Sequence, residues 1–553
     1  MGRINKNLLP IKAHFFFFMS AMGPILPYLP VFGRMLGISE LAIGTINAVL
    51  PIVNIVIKPI FGYLLDFFNN SRKLIFILVL LFTSVIFLSM TFIPQDLKLV
   101  ENMECNKLPI CEGEITQAGK SKPGFTREFC IWECPRESVK LHVLISRDNK
   151  TCSIGKRLQC ADKEVCKLRC RDHKSGTYLS PQFWLFVICI ALGNAGFAVS
   201  NCLSDVICFD LLGAGGENAY GKQRVWGSIG FGLVAFSGSL LHYLYSNTNY
   251  TSTDYMPAFL LATFCMIIDL LCCTKLKLPA LPKSSGIMKD ALQVLKKPQV
   301  AVFIVFAVFI GICDSCVIFF LLWHLEVLAE STGYSSSIVL LEGIVIAVET
   351  LCGEVVCFFF AGKVIKKVGH ENCITLGFAI YVIRFFLLAS IPTPWWSVPI
   401  ELFLQGPTYA LLYNTVVAYA SIVAPPGTSA TVQGLVGGMD DGLGFAIGNL
   451  LGGIILKLYG GQTLFYTASG FAAFCCLLHS VLNKKTRECV VIGKENVEAQ
   501  KSVLLKENSD VIVSLLSKNA PTEKLTSSKE GNTIEDLLNQ ESKLKHSEGG
   551  DIS

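Results

Sequence analysis

Apolar runs long enough to cross a bilayer recur along this chain and constrain its fold more than any other feature. A span needs about 20 predominantly apolar residues. Twelve stretches qualify, at about 13–32, 42–66, 74–94, 183–209, 225–245, 256–274, 300–323, 336–361, 373–391, 397–423, 430–456 and 461–482. The run 74–93 holds no charged residue at all. Inside lipid every backbone polar group must be satisfied within its own segment, so such runs fold as helices. The chain is therefore expected to be an all-α polytopic membrane protein. Its 553 residues are 52% hydrophobic and 16% charged, where a soluble protein carries about 25% charged residues. The first run is too long for the apolar core of a cleaved leader and has no small-residue cleavage site behind it, so it reads as the first span. No stretch carries a catalytic motif. Gly-Ser-Ile-Gly-Phe-Gly at 227–232 resembles a dinucleotide loop, but it sits in an apolar run with no strand before it. An enzyme is not expected, nor a cofactor, a metal centre or a nucleic-acid partner.

Charge placement orients the spans. With an even number of spans both termini share a side. If that side is cytoplasmic, the inside segments hold nineteen Lys and Arg, among them Arg72, Lys73, Lys363, Lys366 and Lys367, while the four short outside loops hold only Arg34. Positive charge collects on the cytoplasmic side. Trp395 and Trp396 then fall in an outer loop, where interfacial aromatics belong. The expected location is the plasma membrane rather than an endomembrane.

The two halves carry traces of a parallel repeat. Lys58 lies eight residues before Asp66, and Glu354 lies eight before Gly362, an offset of 296. Gly193 and Asn201 match Gly406 and Asn414 at an offset of 213. The drop of 83 implies an extra segment of that size in the first half, and residues 95–182 supply it. This insert faces outside and carries Cys105, Cys111, Cys130, Cys134, Cys152, Cys160, Cys166 and Cys170. Eight extracytoplasmic cysteines in 66 residues read as four disulfides in a small loop-rich domain, with the pairing left open. A zinc domain is the competing reading, with only His142 and His173 as histidine partners. Asn149 and Asn249 head glycosylation sequons. The expected domains are a first bundle at 1–94 and 183–278, the insert at 95–182 and a linker at 279–299. A second bundle follows at 300–482, and then a disordered cytoplasmic tail at 483–553. Within the linker, 288–295 is amphipathic and reads as a short interfacial helix.

Ionisable residues inside spans are costly and tend to mark pathways. They are Lys58, Asp205, Asp314, Glu342, Glu349, Glu354, Arg384, Glu401, Asp440 and Asp441. Each has a plainer explanation. Glu342 could sit at the outer interface, Asp205 could hold a neighbouring helix, and Lys58 could snorkel to the cytoplasm. Asp440 and Asp441 point about 100° apart on a helix, so at most one faces a cavity centre. Asp314, Glu349 and Arg384 sit deepest, where a buried ion pair without a transport role competes with a functional reading. Arg384 is about 10 Å below the outer end of its span, and Glu401 about 6 Å below the start of the next. A tight turn joins the two spans, so the pair can meet. A carboxylate that pairs with an arginine only when deprotonated couples protonation to conformation.

The stretch Lys58-Pro59-Ile60-Phe61-Gly62-Tyr63-Leu64-Leu65-Asp66, followed by Arg72-Lys73, resembles the loop signature between helices 2 and 3 of the major facilitator superfamily. Gly62, Leu64, Asp66, Arg72 and Lys73 match it, while Phe67 stands where an arginine is usual. Further stretches resemble one branch of it: Gly23-Pro24-Ile25-Leu26-Pro27, Gly221-Lys222-Gln223-Arg224-Val225-Trp226-Gly227, Ile383-Arg384-Phe385 and Glu401-Leu402-Phe403-Leu404-Gln405-Gly406. Together they look like the major facilitator superfamily domain-containing protein 6 group, relatives of sugar/proton and nucleoside/proton symporters. The resemblance covers about residues 10–482. It implies twelve helices in two six-helix bundles around a central cavity. It also implies proton coupling at Arg384 and Glu401, although the histidine expected near that carboxylate has no counterpart in span 10. In that packing span 2 lies beside span 11. Asp66 then holds a cytoplasmic gate with Lys58, Gly62 and Arg72, its charge set against the start of span 11 near residue 428. The transport and coupling set is Asp314, Glu349, Glu354, Arg384, Glu401 and Gln405.

Two functions follow. The first is a proton-coupled secondary transporter of a small polar solute, working by alternating access and partnered by the bilayer, solute and protons. The second is a receptor or adhesion protein acting through its insert on an extracellular protein ligand. Intramembrane charges favour the first reading, and the large insert favours the second. Solute sensing without transport would keep both.

Overall fold

A computed structural model describes the backbone over residues 6–518, apart from 27–28, 30–31, 34–35, 37, 39, 94–97, 105–124, 134–137, 147–150, 155–164, 171–179, 214, 249–255, 280–283, 285 and 335–336. Two units are present, residues 1–483 and residues 484–553.

The first unit is built from long helices. In its first half they are α1 (Leu9–Met22), α2 (Glu40–Phe67), α3 (Arg72–Ser89), α4 (Pro181–Leu212), α5 (Gly221–Thr248) and α6 (Met256–Cys273). A short helix α7 (Ile287–Leu295) follows in the linker, burying Ile287, Ala291 and Val294 at helical spacing. The second half holds α8 (Pro298–Thr332), α9 (Ile338–Ala347), α10 (Val355–Val368) and α11 (His370–Ser390). After these come α12 (Ser397–Gln405), α13 (Leu411–Val423), α14 (Ser429–Gly437) and α15 (Phe445–Lys518). Three π-helical turns fuse some of these end to end: π1 (Val348–Glu354) joins α9 to α10, π2 (Gly406–Ala410) joins α12 to α13, and π3 (Gly438–Gly444) joins α14 to α15. Helix α15 breaks at Gly460, where φ is 85°.

Two apolar cores hold the unit. One is assembled mainly from residues 11–276 and the other from residues 291–475, with Val417, Ala418 and Ala430 of the second half completing the first core. The helices are apolar on the outside as well. On α2 the exposed face carries Val49, Ile52, Val53, Val56 and Ile60, while Asn54, Lys58 and Asp66 are buried. A helix with its apolar stripe outward and its polar groups inward suits a lipid surround.

Among the described residues, seven helical stretches are long and apolar enough to span a membrane: 42–67, 69–92, 181–212, 298–332, 340–368, 370–390 and 429–484. The chain is thus an integral, multi-pass membrane protein. Seven falls short of the expected twelve for identifiable reasons. Helix α1 and residues 258–273 are apolar but short, and 429–484 counts once although Gly460 divides it. Helix α5 and the continuous helix 397–423 lie outside the set.

The insert differs from the loop-rich expectation. Its backbone forms a five-stranded antiparallel sheet in the order β1-β5-β2-β3-β4, from Lys98–Glu104, Phe125–Glu133, Ser138–Ser146, Thr151–Ile154 and Val165–Cys170. The signal was present: Val139, Leu141 and Val143 alternate with Ser138, Lys140 and His142 at period two, a strand pattern that cysteine counting obscured. Cys105, Cys111, Cys134 and Cys160 lie outside the described residues, as do both sequon asparagines, Asn149 and Asn249. Cys130, Cys152, Cys166 and Cys170 are on strands, and the register sets Cys130 opposite Cys170.

In the second unit the backbone is helical through Lys518, where the sequence suggested disorder. Glu, Lys, Ala, Gln and Leu dominate 494–506, and these favour helix whether or not a core forms. Residues 519–553 lie outside the described residues.

Candidate functional site

The first contact between the halves is Asp66 against the start of α14. The two carboxylate oxygens accept the backbone N–H groups of Ala430 at 3.2 Å and Thr431 at 2.7 Å, and the Thr431 hydroxyl donates to the same carboxylate at 2.7 Å. Helix α14 receives no side-chain bond from its own N-cap residue, Thr428. Asp66 therefore caps a helix more than 360 residues away in sequence, satisfying N–H groups that a helix start leaves unpaired. Close approach makes this reachable. A Cβ on Gly62 would collide with the Ala430 carbonyl, and one on Gly434 would lie 2.5 Å from the Lys58 carbonyl oxygen. Gly438 and Gly442 extend this small-residue stripe against Ile55.

Lys58 does not snorkel. It is buried and forms an ion pair with Asp441 on π3, again between the halves. Arg72, placed with the gate in the sequence reading, pairs instead with Asp210 of its own half, Nη2 to Oδ2 at 2.8 Å. Asp210 lies in the last turn of α4, one residue past the last residue assigned to that span, and so escaped the survey of intramembrane charges.

Deeper in the second half, Arg384 on α11 grips Glu401 on α12 with two donors. Nε meets Oε1 at 3.3 Å, Nη2 meets Oε2, and Nη1 donates to the Thr408 hydroxyl at 2.7 Å. Arg384 and Glu401 are both 0% exposed. Two parallel N–H···O bonds fix the carboxylate in orientation as well as position. Glu354, at the end of π1, accepts from Gln405 Nε2 at 3.0 Å and from the Ser228 hydroxyl at 2.6 Å. Ser228 belongs to α5, so this carboxylate bridges the halves. Glu349 stands within electrostatic reach of Glu401, Glu354 and Arg384. Asp314 on α8 accepts from the Tyr381 hydroxyl. Of the adjacent aspartates, Asp441 takes Lys58, while Asp440 lies within reach of Asp314 and Lys58. Glu342 is half-buried on α9.

Sequence reasoning named Asp205 but missed what surrounds it. Its oxygens accept from Tyr220 at 2.6 Å and Tyr413 at 2.5 Å. Asn201 joins them, donating to Tyr413 at 3.0 Å and accepting from Arg224 at 3.3 Å. Arg224 also covers the rings of Phe15 and Tyr413, 5.4 and 5.5 Å from their centroids, and its Nε and Nη1 are buried without a hydrogen-bond partner. Tyr409, on π2, stacks on Tyr413 and lies within electrostatic reach of Glu354, Arg224, Asp314 and Asp440. Sequence reasoning did not name it. The signal that could have found it is Gly406-Pro407 inside an apolar run, a helix irregularity beside two carboxamide and carboxylate positions.

A multi-helix membrane unit with two cores, halves joined at Asp66, Lys58 and Glu354, and a charged network between them defines a class. The chain belongs to the MFS_1 like family, which it matches over residues 8–467. It is 24% identical over 282 residues to the sucrose permease of Escherichia coli, covering 49% of this chain and 64% of the permease, so the chain spans a little under two thirds of the curated relative it matches. Among solved structures it resembles the nucleoside transporter NupG (TM-score 0.51, 14% identity, 87% of this chain and 99% of that one). It also resembles the human organic anion transporter MFSD10 (0.55, 13%, 87% and 100%) and the Escherichia coli fucose:proton symporter FucP (0.51, 10%, 85% and 98%). At these identities the structural likeness speaks for the fold. None of these relatives lends support to the receptor reading.

Proposed function

We propose that this protein is a secondary transporter that moves a small polar solute by alternating access, coupled to protons. In this reading twelve helices span the plasma membrane in two six-helix bundles, with both termini cytoplasmic and the sheet domain outside, as in the domain-containing protein 6 group. The observation that carries it is the run of buried polar contacts from Arg384–Glu401 and Arg384–Thr408, through the Thr408 bond to the Gln405 backbone carbonyl, to Gln405–Glu354–Ser228. It begins at a wholly buried ion pair and ends on the other half. A proton on Glu401 frees Arg384, and a proton on Glu354 changes the one carboxylate that touches both Gln405 and α5. Protonation is thereby tied to how the halves meet. The solute is assigned to the space around Tyr409, Tyr413, Arg224 and Asn201, where stacked rings and unpaired guanidinium N–H groups suit a hydroxyl-rich or heterocyclic molecule.

The test is uptake into proteoliposomes of radiolabelled sucrose, uridine and fucose, probes suggested by the relatives, with an internal pH dye. Saturable uptake with matching acidification of the lumen supports the proposal. Solute-independent pH traces and uptake equal to empty vesicles for a broad panel of sugars and nucleosides would remove it. Deleting 95–182 should leave uptake intact.

A further inference from the structure

A second buried cluster lies apart from the central network. His14 on α1 faces Asp269 and Cys273 on α6, and all three side chains are buried. Nδ1 of His14 is 2.8 Å from Asp269 Oδ1 and 3.4 Å from Cys273 Sγ, and Sγ is 3.7 Å from Oδ1. Asp269 and Cys273 are four residues apart, so they share one face of α6.

The proton inventory of this cluster is informative. The Ser204 hydroxyl donates to the Ser200 carbonyl at 2.5 Å, which uses its only proton. Ser204 Oγ is also 2.7 Å from His14 Nε2, so it accepts there, and Nε2 carries the ring hydrogen. A neutral His14 then turns a lone pair at Nδ1 toward a carboxylate oxygen at 2.8 Å. Two acceptors at that distance need a cation between them. The other Asp269 oxygen, Oδ2, has no hydrogen-bond partner. Phe18 stacks on the imidazole at 5.4 Å and Phe76 meets it edge-on at 5.1 Å, walling off the other sides.

We propose that His14, Asp269 and Cys273 form a site for a divalent transition-metal ion of borderline softness, with zinc the best match. Zinc binds imidazole nitrogen at about 2.0–2.1 Å, carboxylate oxygen at about 2.0–2.2 Å and thiolate at about 2.3 Å. Tetrahedral placement then needs ligand atoms roughly 3.3–3.7 Å apart. Two of the three edges already meet this, and the third opens by about 0.5 Å. Charge balances: M²⁺ enters, the Cys273 thiol loses its proton, the proton between His14 and Asp269 leaves, and the site stays neutral. The Ser204 contact is the outer hydrogen bond that holds a metal-binding imidazole in its tautomer. Three protein ligands leave a fourth position for water. Entry is short, because Cys273 precedes exposed Thr274, at the end of α6 that the charge distribution places in the cytoplasm. A reducing cytosol keeps the thiol available. Bound there, the ion clips α1 to α6 and makes the first half responsive to cytosolic metal. The site is independent of the transport reading.

The experiment uses the full chain in lipid nanodiscs with Zn²⁺ alone. After dialysis, elemental analysis should find one more equivalent of zinc per chain in the unmutated protein than in Cys273→Ser or Asp269→Asn. Ser204→Ala should keep that equivalent with about 10- to 100-fold weaker affinity. Co²⁺ in place of Zn²⁺ should give a thiolate-to-cobalt charge-transfer band that Cys273→Ser lacks. A folded Cys273→Ser protein with unchanged zinc content and cobalt band overturns the proposal. So does a folded Asp269→Asn protein with unchanged zinc content, which would leave a proton as the cation between His14 and Asp269.

Discussion

Asp66→Asn should open the side of the protein on which α2 meets α14. In the native contact one oxygen, Oδ2, receives both Thr431 donors at 2.7 Å, and Oδ1 receives Ala430 N–H at 3.2 Å. An asparagine can place its single oxygen where Oδ2 stands and keep the Thr431 bonds. Its NH2 group then faces the Ala430 N–H, donor against donor. The long Ala430 bond is worth about 1 kcal/mol. Loss of the negative charge at a partly buried helix N-terminus adds about 0.3–2 kcal/mol. The sum, about 1–3 kcal/mol, corresponds to roughly a 5- to 150-fold shift toward the state in which the contact is broken. The assay is the rate at which an impermeant maleimide, applied from the face on which α2 meets α14, labels a reporter Tyr409→Cys. The rate should rise by the same factor until opening saturates. Thr431→Ala removes only the hydroxyl bond and should move the rate by about fivefold, for a loss near 1 kcal/mol. An unchanged rate in a well-expressed Asp66→Asn protein would show that the contact does not hold this end closed.

Further outcomes follow from the same geometry. Glu401→Gln leaves Arg384 buried without its counter-charge, which should cost about 3–5 kcal/mol in thermal or denaturant unfolding; solute exchange should survive while proton-driven accumulation is lost, and unaffected accumulation in both this variant and Arg384→Ala would remove the pair from coupling. Gly62→Ala and Gly434→Ala push a methyl into opposing backbone and should destabilise by about 1–3 kcal/mol, whereas Gly44→Ala, which meets nothing within 4 Å, should show no such overpacking loss when melting temperatures are compared. A double-mutant cycle of Lys58→Met with Asp441→Asn should give a coupling energy above about 0.5 kcal/mol, read as stability, and additivity would mean the pair is incidental. Non-reducing peptide mapping should recover a peptide linking Cys130 to Cys170, the two cysteines that the strand register sets opposite each other.

How much of this was legible in the residues depended on distance along the chain and on helical regularity. Arg384 and Glu401 sit on helices joined by a short turn, so depth counting alone brought them within reach. The partner of Asp66 was readable because a carboxylate at one helix end and the start of another helix are complementary whichever residues carry them. Lys58 and Asp441 were each seen, but nothing local selects one aspartate of an adjacent pair, and π3 decides which of them turns toward α2. His14 and Asp269 went unremarked because each is a lone polar residue at the end of an apolar run, as many interfacial residues are. The strands of the insert were missed because its cysteines drew the reading toward loops, although period-two alternation was there to find.

The π turns have a consequence for how acidity is distributed along one helix. Glu349 and Glu354 are five residues apart, which on a regular α-helix places them about 140° from each other, on different faces. Across π1, where hydrogen bonds run from i to i+5, residues five apart stack instead, and both carboxylates come to bear on Arg384. The extra residue thus acts as a splice that turns two unrelated acidic positions into neighbours. Winding the same residues as a regular α-helix would swing Glu354 by about 100° away from Ser228 and Gln405, whereas losing one residue between Glu349 and Glu354 would leave the two acids about 40° apart. The spacing of the acids, more than their number, is what this helix has to preserve.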